Sequence, residues 1–322
     1  MESKQGIFII SLDFEMFWAM LVKDEKGQKA YQDNIVGARA VIPKLLILFK
    51  TYHIHATWAT VGFLFFKTKQ ELLQSLPAHI PAYKDPRISP YRHLQEIGSS
   101  ETEDPLHYAA SLIALIRTFP NQEISTHTFC HYNAKAEGQN EETFKDDLQQ
   151  AISTAKKQGI ITETLVFPHN NVNENYFPIC KKLGIKAYRG TQAAWFHQGK
   201  NTIVKRIVRF TDRYFPIDKH NAFLKESIRE KELLNIRASR FLYPYCQKLR
   251  FLETLRLHRI TTAMSYAAKH GLVYHLWWHP YDFGVDQEKN LAFLEKILAH
   301  YSMLKNRYGM ESFTMQETAH YI

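Results

Sequence analysis

Apolar residues along this chain recur in two registers. Short runs rich in Ile, Val, Phe, Tyr and Trp alternate with longer stretches in which apolar positions return every three or four residues. Residues 7–12 form the first run and predict a buried strand that ends at the acidic pair Asp13 and Glu15. Asn34 precedes an apolar stripe over 35–50, which predicts a helix with Asn34 as N-cap and Pro43 as a point of kinking. Residues 55–62 predict a second strand, stopped at Gly62. Residues 77–104 form a polar loop too long for a tight connection, so either functional or inserted. Alternation then resumes: helix 106–118, strand 123–128, helix 141–158, strand 164–168, helix 174–183 and strand 185–189. After an irregular basic stretch come helix 251–270, strand 272–278 and a last long helix, 287–306. Such alternation predicts an α/β fold on a parallel sheet that closes, or nearly closes, into a barrel. In such barrels function collects where strands end.

At 322 residues the chain suits one large α/β domain, and we read 1–322 as a single unit with a basic insertion or connection at about 197–250. Apolar residues at 45% and charged residues at 23% allow a full core and exclude disorder. Three cysteines, Cys130, Cys180 and Cys246, are too few for a disulfide framework or a cysteine zinc site and fit a reducing compartment. No apolar run reaches the roughly 18 residues of a membrane span, and the first residues lack the pattern of a signal peptide. The expectation is a cytoplasmic protein.

Charge changes the picture in one place. Residues 201–260 hold 14 Lys and Arg against 6 Asp and Glu, a local +8 of the chain's +9. Such a stretch favours an anionic lipid surface or an anionic substrate, against the plainer reading of a solvated cationic face. Without repeats, RNA-recognition signatures or zinc-finger spacing, nucleic acid is not expected as a partner.

Unusual polar residues fall repeatedly at strand ends. Asp13 and Glu15 are two apart, which on a strand projects both carboxylates to one face; solvated loop carboxylates are the plain alternative. His127 and His131 are four apart, which on a helical turn sets both imidazoles on one side; two surface histidines are the plain alternative. His279 follows the apolar run with Trp277 and Trp278, whereas His275 reads as a packed core histidine. A fourth strand breaks at Phe167-Pro168 into His169 and Asn170. Two histidines and a carboxylate with an open position suit a catalytic zinc. A second carboxylate can take a proton from water, and another histidine can protonate a leaving group. Asp13, Glu15, His127, His131 and His279 supply that set.

In order and identity these motifs resemble those of the polysaccharide deacetylase family, the NodB-homology group or carbohydrate esterase family 4. Ser11-Leu-Asp13-Phe-Glu15 is similar to an S-x-D-x-E form of its acidic motif, and His127-Thr-Phe-Cys-His131 to its paired-histidine motif. The segment 56–62, with Trp58, resembles its second strand. Phe167-Pro168-His169-Asn170 resembles a loop whose arginine commonly supports the catalytic acid. His169 stands there in this chain, which leaves Arg189 for that role, or no residue. Tyr188-Arg189-Gly190 with Trp195 resembles the substrate wall, and 275–279 the last motif. The resemblance implies a distorted (β/α) barrel of about seven strands. It implies Asp13 as base, with Glu15, His127 and His131 as ligands of zinc or another divalent first-row metal; Asp13 and Glu15 could exchange roles. It implies His279 as helper of the leaving group, and Trp195, Trp277 and Trp278 as faces for a sugar ring or as core packing.

The implied activity is removal of acetyl from an N-acetylated sugar of a lipid-linked or nucleotide-linked glycan precursor. The protein would sit in the cytoplasm, peripherally at the inner membrane face through its basic stretch. An O-acetyl esterase or non-sugar amidohydrolase on the same site is the alternative, and a catalytically inactive glycan- or lipid-binding barrel is the alternative of another class.

Overall fold

The computed structural model describes residues 5–199, 202–217, 220–228 and 232–322, so the basic stretch at 197–250 lies partly outside the described residues. Among the described residues nine strands form one sheet: β1 (Ile7–Phe14), β2 (Ala56–Thr60), β3 (Gln122–Thr126), β4 (Thr164–Leu165), β5 (Ala187–Tyr188), β6 (Leu234–Asn235), β7 (Arg240–Phe241), β8 (Val273–Trp278) and β9 (Glu311–Phe313). Their order is β6-β5-β4-β3-β2-β1-β8-β7, with every pairing parallel and β9 set against the first half of β1.

β1 is central because both its faces are buried along all eight residues. Phe8, Ile10, Leu12 and Phe14 join the large core between sheet and helices. Ile7 and Ile9 point the other way, into an interior plug with Ala59, Val166, Ala187, Val273 and Met315. The same alternation carries Ser11 and Asp13 onto the inner face above that plug. The lower barrel is therefore apolar and its upper mouth polar.

Residues 234–242 close the ring. Ile236 and Ala238 donate backbone N–H groups to Tyr188 and Gly190 on the β5 side, both at 2.9 Å. Ser239 and Leu242 donate to His275 and Trp277 on β8, both at 2.8 Å. β6 and β7 thus behave as two staggered halves of one stave, and the structure is a distorted (β/α) barrel.

Two local expectations are corrected, the Asn34 cap and the irregular basic stretch. Asn34 lies inside the helix Gln32–Thr51, whose N-cap is Tyr31; its side chain instead donates to the Tyr281 carbonyl at 3.1 Å. That helix runs unbroken through Pro43, because seven buried apolar residues hold it against the sheet while one hydrogen bond is forgone. The basic stretch is not wholly irregular, since it contains the helix Ile203–Asp212 as well as β6 and β7. The sequence reading also missed β9 and the closing helix Met315–Tyr321.

Candidate metal centre and active site

The loops after β1, β3, β4, β5 and β8 converge over the mouth of the barrel. β1 ends at Phe14, and Glu15 turns out of the strand (φ −128°, ψ −12°), so its carboxylate swings over the mouth beside that of Asp13. The His279 Nε2 stands between them, 3.4 Å from Glu15 Oε1 and 3.9 Å from Asp13 Oδ2.

His127 and His131 meet as expected, but not on a helical turn. The segment is a loop in which Thr128 and His131 both have φ above +60° (63° and 62°). Its shape is imposed from outside. Gly62 and Phe63 donate N–H groups to the Thr128 and Phe129 carbonyls at 2.9 Å, and a Cβ on Gly62 would lie 2.8 Å from the Phe129 Cα. From below, the buried Asp147 accepts the N–H groups of Phe129 at 2.8 Å and Cys130 at 3.1 Å. Burial raises the Asp147 pKa to about 6, although those N–H groups act to lower it. Cys130 is a free, buried cysteine.

Glu15 Oε2 is 3.1 Å from His127 Nε2 and 2.9 Å from His131 Nε2, and the three ligand atoms lie within 4.8 Å of one another. His127 Nδ1 lies 2.7 Å from the Val166 carbonyl, which can only accept, so Nδ1 carries the proton and a neutral ring leaves Nε2 with a lone pair. Burial opposes ionisation of Glu15, but His279 and His131 hold its pKa well below the ordinary value. Burial lowers the His131 pKa as well, although Glu15 opposes that shift, so the neutral ring is favoured. Lone pairs facing a carboxylate at this range repel unless a positive charge lies between them. One divalent cation satisfies all three, and N,N,O is a common zinc donor set.

Asp13 is held differently. Arg189, fully buried, donates through Nη1 and Nη2 to its two oxygens at 2.6 and 2.7 Å. Nη1 also reaches Ser11 Oγ at 3.1 Å, Nη2 reaches Asn170 Oδ1 at 3.0 Å, and the guanidinium lies 4.1 Å above the Trp277 ring. Burial raises the Asp13 pKa, but Arg189, together with His127 and His279, more than offsets it, leaving the carboxyl below its usual range. His275 is the packed residue expected, bonded to Ser11 Oγ at 2.8 Å, with its pKa pushed by burial to about 3.

Other nominated residues divide. Trp277 lines a cleft of ≈ 720 Å³ beside the centre, together with Lys135, His169, Asn170, Gln192 and His197, and its indole N–H has no partner among the described residues. His169 packs edge-on to His131 at 4.7 Å in a left-handed conformation (φ 57°), and burial takes its pKa to about 3. Pro168 starts the turn that presents it. Trp195 is 57% exposed. Trp58 and Phe167, expected to bind substrate or to support the site, have no face open to a substrate, and of the two readings left for Trp278 the structure takes core packing. All three are fully buried, against Phe49, Phe144 and Phe283 respectively; strand alternation turns Trp58 and Trp278 to the helix side, and Phe167 packs there just beyond the end of β4.

Tyr281, Asp282 and Asp147 were not nominated. The Tyr281 hydroxyl donates to Glu15 Oε1 at 2.7 Å, and Asp282 Oδ2 lies 2.9 Å from His279 Nδ1. Burial depresses the His279 pKa, but Asp282 and Glu15 reverse this and raise it to about 9. A His-Pro-x-Asp run after a strand is the signal that could have exposed Asp282. Asp147 had none, since it lies on a helix far away in sequence.

Comparison with solved structures decides the fold. A chain assigned as a polysaccharide deacetylase from Mycobacterium smegmatis superposes with a TM-score of 0.62 at 13% identity, covering 100% of this chain and 91% of that one. The barrel has the NodB fold. A second match is assigned as a polysaccharide deacetylase from Pseudomonas aeruginosa PAO1, with a TM-score of 0.51, 12% identity, and 99% and 90% coverage. The barrel also superposes on Puue allantoinase, with a TM-score of 0.52, 12% identity, and 99% and 91% coverage. A 4-alpha-glucanotransferase from Thermococcus litoralis gives a TM-score of 0.52 at 12% identity, covering 99% of this chain and 40% of that one. No family model and no curated protein matches the sequence.

Proposed function

We propose that the protein is a metal-dependent hydrolase that removes acetyl from an N-acetylated hexosamine. The observation that carries this is the opposition of Glu15 to two imidazole Nε2 atoms, with Asp13 and His279 beside it. Glu15, His127 and His131 would hold the ion, which when bound supplies Lewis acidity toward a water and an amide carbonyl. Asp13 is ionised at neutral pH and takes a proton from the attacking water. Arg189 fixes the plane of that carboxylate. His279 is protonated at neutral pH, aligned by Asp282, and gives its proton to the departing nitrogen as the C–N bond breaks. Trp277, which lines the cleft, offers part of its ring to the sugar.

A lipid-linked or nucleotide-linked precursor in the cytoplasm is the substrate we favour, and the excess of cations in the 201–260 stretch supports an anionic carrier. The test is acetate release from N-acetylated chitooligomers and from O-acetylated sugars, with and without chelator. The expected outcome is release from the N-acetyl substrates, abolished by chelation and restored by Zn²⁺, with Glu15→Gln losing the bound metal. A chain that carries no metal by elemental analysis and releases no acetate would overturn the reading.

A further inference from the structure

The helix Ile203–Asp212 is built inside out. Its polar side faces the protein: Lys205 Nζ donates to the Gln198 carbonyl at 2.6 Å and Arg209 Nη1 to the Phe196 carbonyl at 2.8 Å. Asp212 is buried between Arg240 at 2.9 Å and Arg259 at 3.2 Å. Its apolar side faces water: Ile203, Val204 and Ile207 are 73%, 63% and 61% exposed, and Phe210 is 42% exposed. At the helical period these four share one stripe of about a third of the circumference, the part an ordinary surface helix would bury. Phe215 and Ile217, also exposed, follow in the chain. A contiguous apolar face of this kind on a folded chain marks an interaction surface.

The charge beside the stripe selects the occupant. Residues 202–217 contain Lys205, Arg206, Arg209 and Arg213 against one carboxylate, and that carboxylate already pairs with two arginines elsewhere. Arg206 is exposed next to Phe210 on the helical wheel, and the Arg213 guanidinium lies over the Phe210 and Tyr243 rings at 5.4 and 3.3 Å. An apolar stripe edged by cations is complementary to acyl chains beneath anionic headgroups. We propose that the Ile203–Asp212 helix seats the protein on an anionic lipid surface. Through Gln198, which Lys205 holds and which lines the cleft, the docked helix would place the cleft mouth at the headgroups. Only this last consequence, delivery of a lipid-linked sugar, rests on the deacetylase reading.

The experiment is co-sedimentation of the full chain with phosphatidylcholine vesicles, with and without phosphatidylglycerol, at low and high salt. Wild type should pellet with the phosphatidylglycerol vesicles at low salt and less at high salt. Ile207→Asp combined with Phe210→Asp should weaken this by about tenfold or more, and Arg206→Glu by less. Thermal unfolding and acetate release from soluble chitooligomers should stay as in wild type, because these side chains lie outside the core and the site. The proposal is overturned if wild type fails to pellet at low salt or if the double variant pellets equally well. A concentration-dependent dimer abolished by the double variant also overturns it, since a second copy would then cover the stripe. Vesicle binding without acetate release leaves the docking intact and removes the deacetylase.

Discussion

Arg189 is fully buried and, among the described residues, has one carboxylate to neutralise it, Asp13, at 2.6 and 2.7 Å. A planar fork makes both bonds at once, whereas an ammonium makes one, so lysine is a poor substitute. Arg189→Lys is expected to lower kcat about 10- to 100-fold while metal per chain stays constant. Loss of metal instead would show that the arginine supports the ligand set rather than Asp13. Asp147 allows a second prediction. Its carboxyl is raised by burial to about 6, above its unfolded value, so the protonated form is the one the fold favours. That stabilisation is complete below the unfolded pKa and lost as pH rises through about 6, a span worth roughly 3 kcal/mol. The destabilisation caused by Asp147→Asn should therefore be greater at pH 4 than at pH 7, as read by urea unfolding. An equal cost at both pH values would mean that Asp147 is ionised throughout.

Between elements, contact is set by the absence of side chains as much as by their presence. A Cβ on Gly284 would fall 1.9 Å from the Asn34 carbonyl, and one on Gly37 would fall 2.0 Å from the Gly284 carbonyl. The helix Gln32–Thr51 can therefore touch the turn Pro280–Phe283, which carries Tyr281 and Asp282. Gly284→Ala should separate these elements, cost about 1–3 kcal/mol and lower activity with it. Gly309→Ala is the control: it has open space around it and a φ of +66°, so only local strain of about 1 kcal/mol and no loss of activity are expected. Urea unfolding with acetate release distinguishes the two. The strands β1, β2, β3 and β8 were legible because their apolar runs are long enough to carry period and length. β4 and β5 lie within the apolar runs 164–168 and 185–189 and were legible there, whereas β6 and β7, two residues each inside the basic stretch, were not. The loop 127–131 misled because the spacing of two histidines fits a helical turn, while Gly62 and Asp147 impose a different path.

On the scale of the molecule, one barrel fold is shared with an allantoinase and a glucanotransferase, so the architecture does not select the reaction. What bears on the reaction is which charges the mouth of this barrel brings together. Order and spacing along the chain were enough to determine an alternating parallel barrel, its polar strand ends, and the candidates Asp13, Glu15, His127, His131 and His279, because strand alternation and apolar periodicity are local properties. Only the tertiary structure decided that Arg189 rather than His169 lies on Asp13, that Tyr281 and Asp282 complete the ring, that Trp58, Phe167 and Trp278 belong to the core, and that the Ile203–Asp212 helix turns its apolar face outward. Each of these depends on which distant segments meet in three dimensions, and the energy of a buried charge or an exposed stripe is set by those neighbours.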